Sequence, residues 1–421
     1  YGDHRDLHLS LRRQRQMCIR DRSDNPGKRL SNMIRIALGQ SKMVSKPISG
    51  ALHVIVYLGF IIINIEVLEI LIDGVTGSHR FFSKYFNTTI YNFLIASFEI
   101  FAFLVLISVI IFWIRRNLLK IKRFLSSEMK GWPKFDADNI LYFEVVLMLL
   151  FLSMNATDLI LQERNYEGYY SAGSFPVSSF MVPIFDSFST STIYSLERVF
   201  WWSHIIGIFF FLNYLYYSKH LHILLAFPNT YYANLEEKGK FDVLESVKNE
   251  VLLMFYPEKA SQNNQSVDKF GASDVLDLNW VQLMNAYSCT ECGRCTSECP
   301  ANLTGKKLSP RKIMMDTRDR LEKVSINISN NNGEFIDDGD RLLDNYISKE
   351  ELWACTSCNA CVEACPINID PLSIIMDMRQ YLIMEESSAH PDLNNMMNNI
   401  ENNGAPWPYN QQDRELWIQE T

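Results

Sequence analysis

Cysteine is almost missing from this chain outside one stretch. Of nine cysteines in 421 residues, eight fall between Cys289 and Cys365, and the ninth, Cys18, stands alone near the start. A disulfide framework spread through the chain is therefore excluded, and thiols gathered in one place point to a reducing compartment for that part. No basic stripe interleaved with aromatics occurs, which argues against nucleic acid as a partner. A cleavable signal peptide is not visible either, so membrane insertion would be led by the first apolar segment. The mean hydropathy is close to neutral, at -0.06. That mean averages a very apolar first half with a polar second half, and so conceals a membrane domain.

What is present is the pattern C-x-x-C-x-x-C-x-x-x-C-P, twice: Cys289, Cys292, Cys295, Cys299 and Pro300, then Cys355, Cys358, Cys361, Cys365 and Pro366. Thiolates are soft ligands suited to iron–sulfur clusters. Three of them, separated by two residues each, wrap one corner of a cube, and in two-cluster ferredoxins the fourth serves the other cluster. Crossed in that way, Cys289, Cys292, Cys295 and Cys365 hold one 4Fe–4S cluster, and Cys355, Cys358, Cys361 and Cys299 hold the second. A pair of structural zinc sites is the competing reading. Zinc ribbons, however, use two isolated cysteine pairs per metal, not three evenly spaced cysteines with a trailing fourth and a proline.

Four apolar runs, Ala51 to Asp73, Asn92 to Ile114, Leu141 to Leu161 and Val199 to Phe227, each reach the roughly 20 residues a helix needs to cross the hydrocarbon core. Arg115, Arg116, Lys120, Lys122, Arg123, Lys130 and Lys134 crowd the connection between the second and third, which the positive-inside rule places in the cytoplasm. Lys42 and Lys46 ahead of the first run agree, and the twin motif falls on the same side. The expected fold is mainly α: a transmembrane bundle of about four helices over residues 43–228, a linker over 229–279, an α-helical two-cluster ferredoxin domain over 280–386, and a polar, extended tail over 387–421. Within the ferredoxin part a helix is expected over Ser309 to Val324 and an Asn/Gly/Asp-rich loop over Ser325 to Asp340. Residues 1–23, with Arg12, Arg13, Arg15, Arg20 and Arg22 around Cys18, read as translated adapter sequence and are set aside.

Beyond residue 23 the histidines are His53, His79, His204, His220, His222 and His390. Ionisable groups at membrane depth usually mark function. His53 opens the first run on the inner side, and His220 and His222 close the fourth there, so a b-type haem between these ends is expected. On one continuous helix His204 and His222 share a face about 27 Å apart, with His220 rotated roughly 160° from His204, which favours His222 as the inner ligand. His204 would then serve a second, outer haem with His79 as its partner. Glu66, Glu69, Glu99 and Asp158 lie in the outer halves of the runs. They are candidates for exchanging protons with a quinol, or for fixing helix packing through hydrogen bonds. No catalytic residue is assigned.

With these residues placed, the bundle resembles the cytochrome b subunit of membrane heterodisulfide reductases and the gamma-like subunit of respiratory nitrate reductase. The runs Cys-Thr-Glu-Cys-Gly-Arg-Cys-Thr-Ser-Glu-Cys-Pro300 and Cys-Thr-Ser-Cys-Asn-Ala-Cys-Val-Glu-Ala-Cys-Pro366 resemble the small iron–sulfur subunit of heterodisulfide reductase. From about Met43 to Trp407 the chain looks like a bacterial fusion of the two. Nitrate-reductase-type cytochromes place two histidines in one early helix, whereas this chain has His53 and then Ile63, a departure that weakens the outer haem. The resemblance implies an electron-transfer subunit of the bacterial inner membrane, linking the quinone pool, b haem and two cytoplasmic clusters. Heterodisulfide reductases perform their chemistry on another subunit with Cys-Cys-Gly repeats. No Cys-Cys pair occurs here, so a separate catalytic oxidoreductase is implied as partner. The alternative is a haem-free, membrane-anchored iron–sulfur redox sensor or docking anchor.

Overall fold

The computed structural model describes residues 22, 24–237, 239–240, 245–257, 269–408 and 410–419, and the reading of residues 1–21 falls outside them. The described residues are helical throughout, with no strand and a single isolated bridge between Leu343 and Ile347. Three helices, α1 (Pro47–Thr76), α2 (Thr88–Asn117) and α3 (Trp132–Glu163), are long and apolar enough to cross a membrane. Their ends follow local chemistry. Pro47 opens α1, where a missing N–H costs nothing, and Gly77 closes it at φ 67. The Asn87 side chain caps α2 by accepting from the Thr89 N–H.

These helices and α4 (Thr190–Leu215) enclose a core that includes Ile63, Ile95, Phe98, Ala102, Phe151 and Ile205. Leu68, Phe93, Ile110, Val199 and Ile206 face outward and are exposed, an apolar belt that water would not tolerate and lipid would. Gly59 lets α1 approach α2 closely, since a Cβ there would stand 2.4 Å from Cγ2 of Val105.

The fourth run is not one helix. After Leu215 the chain breaks, and the following segment, Lys219–Tyr231, leaves at 89° to α4. Ser218 is extended, and its hydroxyl caps the His220 N–H. Asp136 on α3 accepts from both the Lys219 N–H and the Tyr214 hydroxyl. These polar caps, supplied partly by another helix, end α4 inside an apolar stretch. The expected common face for His204 and His222 is therefore lost, because they sit on different helices, α4 and α5 (His222–Tyr231).

The second half gathers α6 (Trp280–Ser288), α7 (Pro310–Asn330) and α8 (Pro371–Met384) around a core that includes Leu308, Ile313, Leu342, Leu352, Ile374 and Met378. Helix α7 runs past Val324 to Asn330, shortening the expected loop. The Asn327 side chain turns back to hold the N–H and C=O of Ile336, so the Asn-rich segment ties the loop to the helix. The tail is not extended either: Pro391–Asn403 is a helix, capped by the His390 ring and closed by Gly404 at φ 65.

Candidate metal centre

Each motif begins with a loop wound to turn its thiols inward. Glu291 and Ser357 both adopt φ 56, and Gly293 and Asn359 adopt φ 71 and 59, so the two loops share left-handed positions. Gly293 is also a close approach, since a Cβ there would lie 2.6 Å from Nη1 of Arg311. All eight cysteines of the motifs are free. Cys365 lies within electrostatic range of Cys289, Cys292 and Cys295, while Cys299 lies within range of Cys355 and Cys361, with Cys358 beside Cys355. Cys295 also lies within range of Cys361, so the thiols of both motifs gather in one region.

Backbone N–H groups already point at sulfur: Ser357 donates to Cys355 at 3.4 Å and Ile369 to Cys365 at 3.3 Å. Burial pushes the Cys289 thiol up to about 12 and the Cys365 thiol up to about 11, and it also raises Cys295 and Cys361. Only a coordinated metal deprotonates such thiols outright. Among the described residues no three Cys, His, Asp or Glu side chains converge on one ion.

The first thiol set is pinned to one end of the bundle. Glu291, 2% exposed, pairs with Lys219 and, at 2.9 Å, with Arg318. Lys219 also reaches the Pro133 carbonyl at 2.7 Å. Arg294 donates to the carbonyls of Lys42 and Met43. Arg311 donates to the Arg123 carbonyl and to Glu128 at 2.7 Å in each case. The basic residues before α1 and between α2 and α3 therefore line the docking surface of the cysteine domain. Glu291, Arg294, Arg311 and Lys219 were not identified from sequence, because a charge inside a polar domain gives no sign of which distant loop it meets.

His53, His220 and His222 come together at this same end. His53 and His222 lie within electrostatic range, and the rings of His220 and His222 are 5.5 Å apart. Nδ1 of His222 is engaged by the Lys219 carbonyl at 3.1 Å, which leaves Nε2 as the nitrogen for a metal. His53 Nδ1 is buried without a partner. His220 has its Nε2 3.9 Å from Glu144 on α3. Deeper in the bundle His204, 1% exposed, packs against Phe151 with neither ring nitrogen hydrogen-bonded.

At the far end His79 is engaged by its own neighbours. His79 Nε2 is 2.8 Å from Asp158, and its Nδ1 accepts weakly from the Tyr170 N–H. The acids there mainly hold loops. Arg80, which sequence reading passed over, binds Asp158 at 2.8 Å, Glu66 at 3.0 Å and the Asn155 amide at 2.8 Å. Glu69 accepts from the Phe82 N–H and the Tyr91 hydroxyl. Glu99 accepts from the N–H groups of Val177 and Ser178. A half-open cavity of about 490 Å³ lies beside this network, lined in part by Glu69, His79, Asp158, Tyr169, Glu197 and Trp201. Glu66 and Glu99 are not among its walls, and their hydrogen bonds fit the second of the two roles expected for these acids, that of fixing helix packing.

Residues 288–369 match the 4Fe-4S dicluster domain family. Across most of its length the chain is similar to the "Probable iron-sulfur-binding oxidoreductase FadF" of Bacillus subtilis, at 27% identity over 91% of this chain and 54% of that protein. It is similar to the EtfAB:quinone oxidoreductase of Syntrophomonas wolfei at 24% identity, over 95% of this chain and 55% of that protein. Its cysteine half is similar to an iron-sulfur subunit of the CoB–CoM heterodisulfide reductase of Methanocaldococcus jannaschii, at 29% identity over 30% of this chain and 56% of that protein. The chain spans about half the length of the two long relatives. No solved structure matches it. These matches agree with an iron–sulfur electron-transfer protein of the oxidoreductase type.

Proposed function

We propose that this chain is a membrane electron-transfer subunit working between quinone, a b-type haem and two 4Fe–4S clusters, with its cysteine domain on the cytoplasmic face of a bacterial inner membrane. It would exchange electrons with a separate catalytic oxidoreductase. The observation that carries this reading is the convergence of His53, His220 and His222 on the end of the bundle where the cysteine domain docks. When bound, haem and clusters supply one-electron carriers, and the protein supplies ligands, orientation and exclusion of water. His53 and His222 would hold the haem, with the Lys219 backbone carbonyl fixing the His222 ring. Cys289, Cys292, Cys295 and Cys365 form one cluster site; Cys355, Cys358, Cys361 and Cys299 form the other. The far-end cavity, with Asp158 and Glu69 on its walls, supports quinone exchange there. The similarity to a quinone oxidoreductase and to an iron–sulfur protein of heterodisulfide reductase supports the two ends of the route.

Optical spectra of purified protein test the haem: a b-type α band is expected on dithionite reduction, and a spectrum without it would refute haem binding while leaving the clusters standing. Replacing Cys299 tests the crossing. Damage is expected at the cluster held by Cys355, Cys358 and Cys361, and loss of the other cluster alone would overturn the assignment.

A further inference from the structure

The two cysteine loops share a backbone but carry opposite kinds of side chain. Position for position, Glu291 corresponds to Ser357, Arg294 to Ala360 and Glu298 to Ala364. Every charge of the first loop meets the bundle or the helix behind it: Glu291 at Lys219 and Arg318, Arg294 at the Lys42 and Met43 carbonyls, Glu298 at Lys46 at 2.9 Å. The second motif has small neutral residues in the same places; Lys42 and Asn229 hold its later part at Val362, Ile367 and Asn368, while the loop over 355–360 bonds within its own half. Ser357 donates to Cys355, and Arg379 donates to the carbonyls of Leu352 and Cys355. Its remaining edge is open, with Thr356 and Cys358 exposed.

We infer that the Cys355–Ala360 loop is the face on which a soluble redox protein, bearing its own flavin or iron–sulfur centre, exchanges electrons. The first thiol set is then the internal relay. This assignment rests on the proposed reading of both sets as cluster sites. Three features support it. Electron exchange between proteins requires close approach to a cofactor edge, and Thr356, Ser357 and Ala360 are small enough to permit it. Buried charges at the equivalent positions would have to be stripped of water by any partner, and the second loop has none. The thiol sets adjoin at Cys295 and Cys361, so the outer set is continuous with the inner one. In the direction toward quinone, two reduced clusters give one electron each, and these two electrons with two protons convert quinone to quinol.

The test uses the full chain in detergent with dysprosium-EDTA, a soluble paramagnetic chelate that speeds relaxation of nearby spins. EPR signals are assigned with Cys292→Ser and Cys358→Ser, or from wild-type protein poised so that the clusters are reduced one at a time. Relaxation of the second set is expected to accelerate several-fold more than that of the first; equal or reversed acceleration would overturn the assignment. Mixing reduced protein with a menaquinone analogue and freezing provides a second readout. Cys358→Ser should still allow oxidation of the first cluster, and Cys292→Ser should leave the second cluster reduced. The reverse pattern would contradict the order. If wild-type protein is not oxidised by the analogue, the quinone reading fails alone, because the chelate measurement involves no quinone.

Discussion

Both ends of the bundle are built from buried polar side chains, but they differ in what is left over: an imidazole nitrogen of His53 at the docked end, and one carboxylate oxygen of Glu66 at the far end. At the far end Arg80 gathers Asp158, Glu66 and Asn155, and His79 has both ring nitrogens engaged. At the docked end His53 keeps an unpartnered Nδ1 beside His222, and His204 inside the bundle has two. Buried polar atoms in native proteins are nearly always satisfied. Under the proposed function the unpartnered imidazole nitrogens are the candidate haem ligands, whereas the Arg80 network holds the loop after α1.

Removing ligands should separate the two ends most sharply. His53→Ala combined with His222→Ala is expected to abolish the b-type absorbance while leaving both cluster EPR signals, whereas His79→Ala should leave the absorbance intact. Loss of the band in His79→Ala would restore an outer haem. Arg80→Met should act on stability instead. It strands buried Asp158 and Glu66, and breaking such a pair costs about 3–5 kcal/mol, to be read as a lower unfolding midpoint in detergent with the optical spectrum unchanged.

A smaller effect is expected where Glu128 meets Arg311 at the docking surface. Burial raises the Glu128 carboxyl, but Arg311 and Ser309 outweigh it and hold it below the usual carboxylate range. Its folded value is depressed, so its contribution is fully present above the ordinary carboxylate range and is lost as pH falls through the depressed value. Hydrogen-exchange protection in residues 310–330, corrected for the intrinsic rate at each pH, should therefore fall on acidification in wild-type protein, and Glu128→Gln should lower it at neutral pH and flatten the response. The smallest change is expected of Glu99→Gln, which keeps one acceptor oxygen for the Val177 and Ser178 N–H groups. The loss is about 1 kcal/mol, measurable as faster proteolysis of the 164–189 loop.

The dicluster domain was legible in the sequence because its cysteines follow a local spacing and the motif repeats. Helix α1, α2 and α3 were legible because length and apolar composition suffice for a span. The break at Ser218 was not, since hydropathy continues through Tyr216 and Tyr217 and one of its caps comes from Asp136, far away in the chain. The role of the outer acids was equally hidden. Sequence left both proton exchange and packing open for Glu66 and Asp158, and it gave no sign that Arg80, arriving on a short loop, would pair with both. The helix over Pro391–Asn403 was missed because an Asn-rich composition outweighed the proline and glycine that bound it.

The central claim is that electrons cross from quinone to the cysteine domain by way of the histidines at the docked end. Stopped-flow oxidation of dithionite-reduced protein by a menaquinone analogue, followed at the haem and cluster absorbances together, tests it most directly. The account predicts that clusters are oxidised in wild-type protein and stay reduced in the His53→Ala, His222→Ala double variant. Cluster oxidation at the wild-type rate in that variant would contradict it.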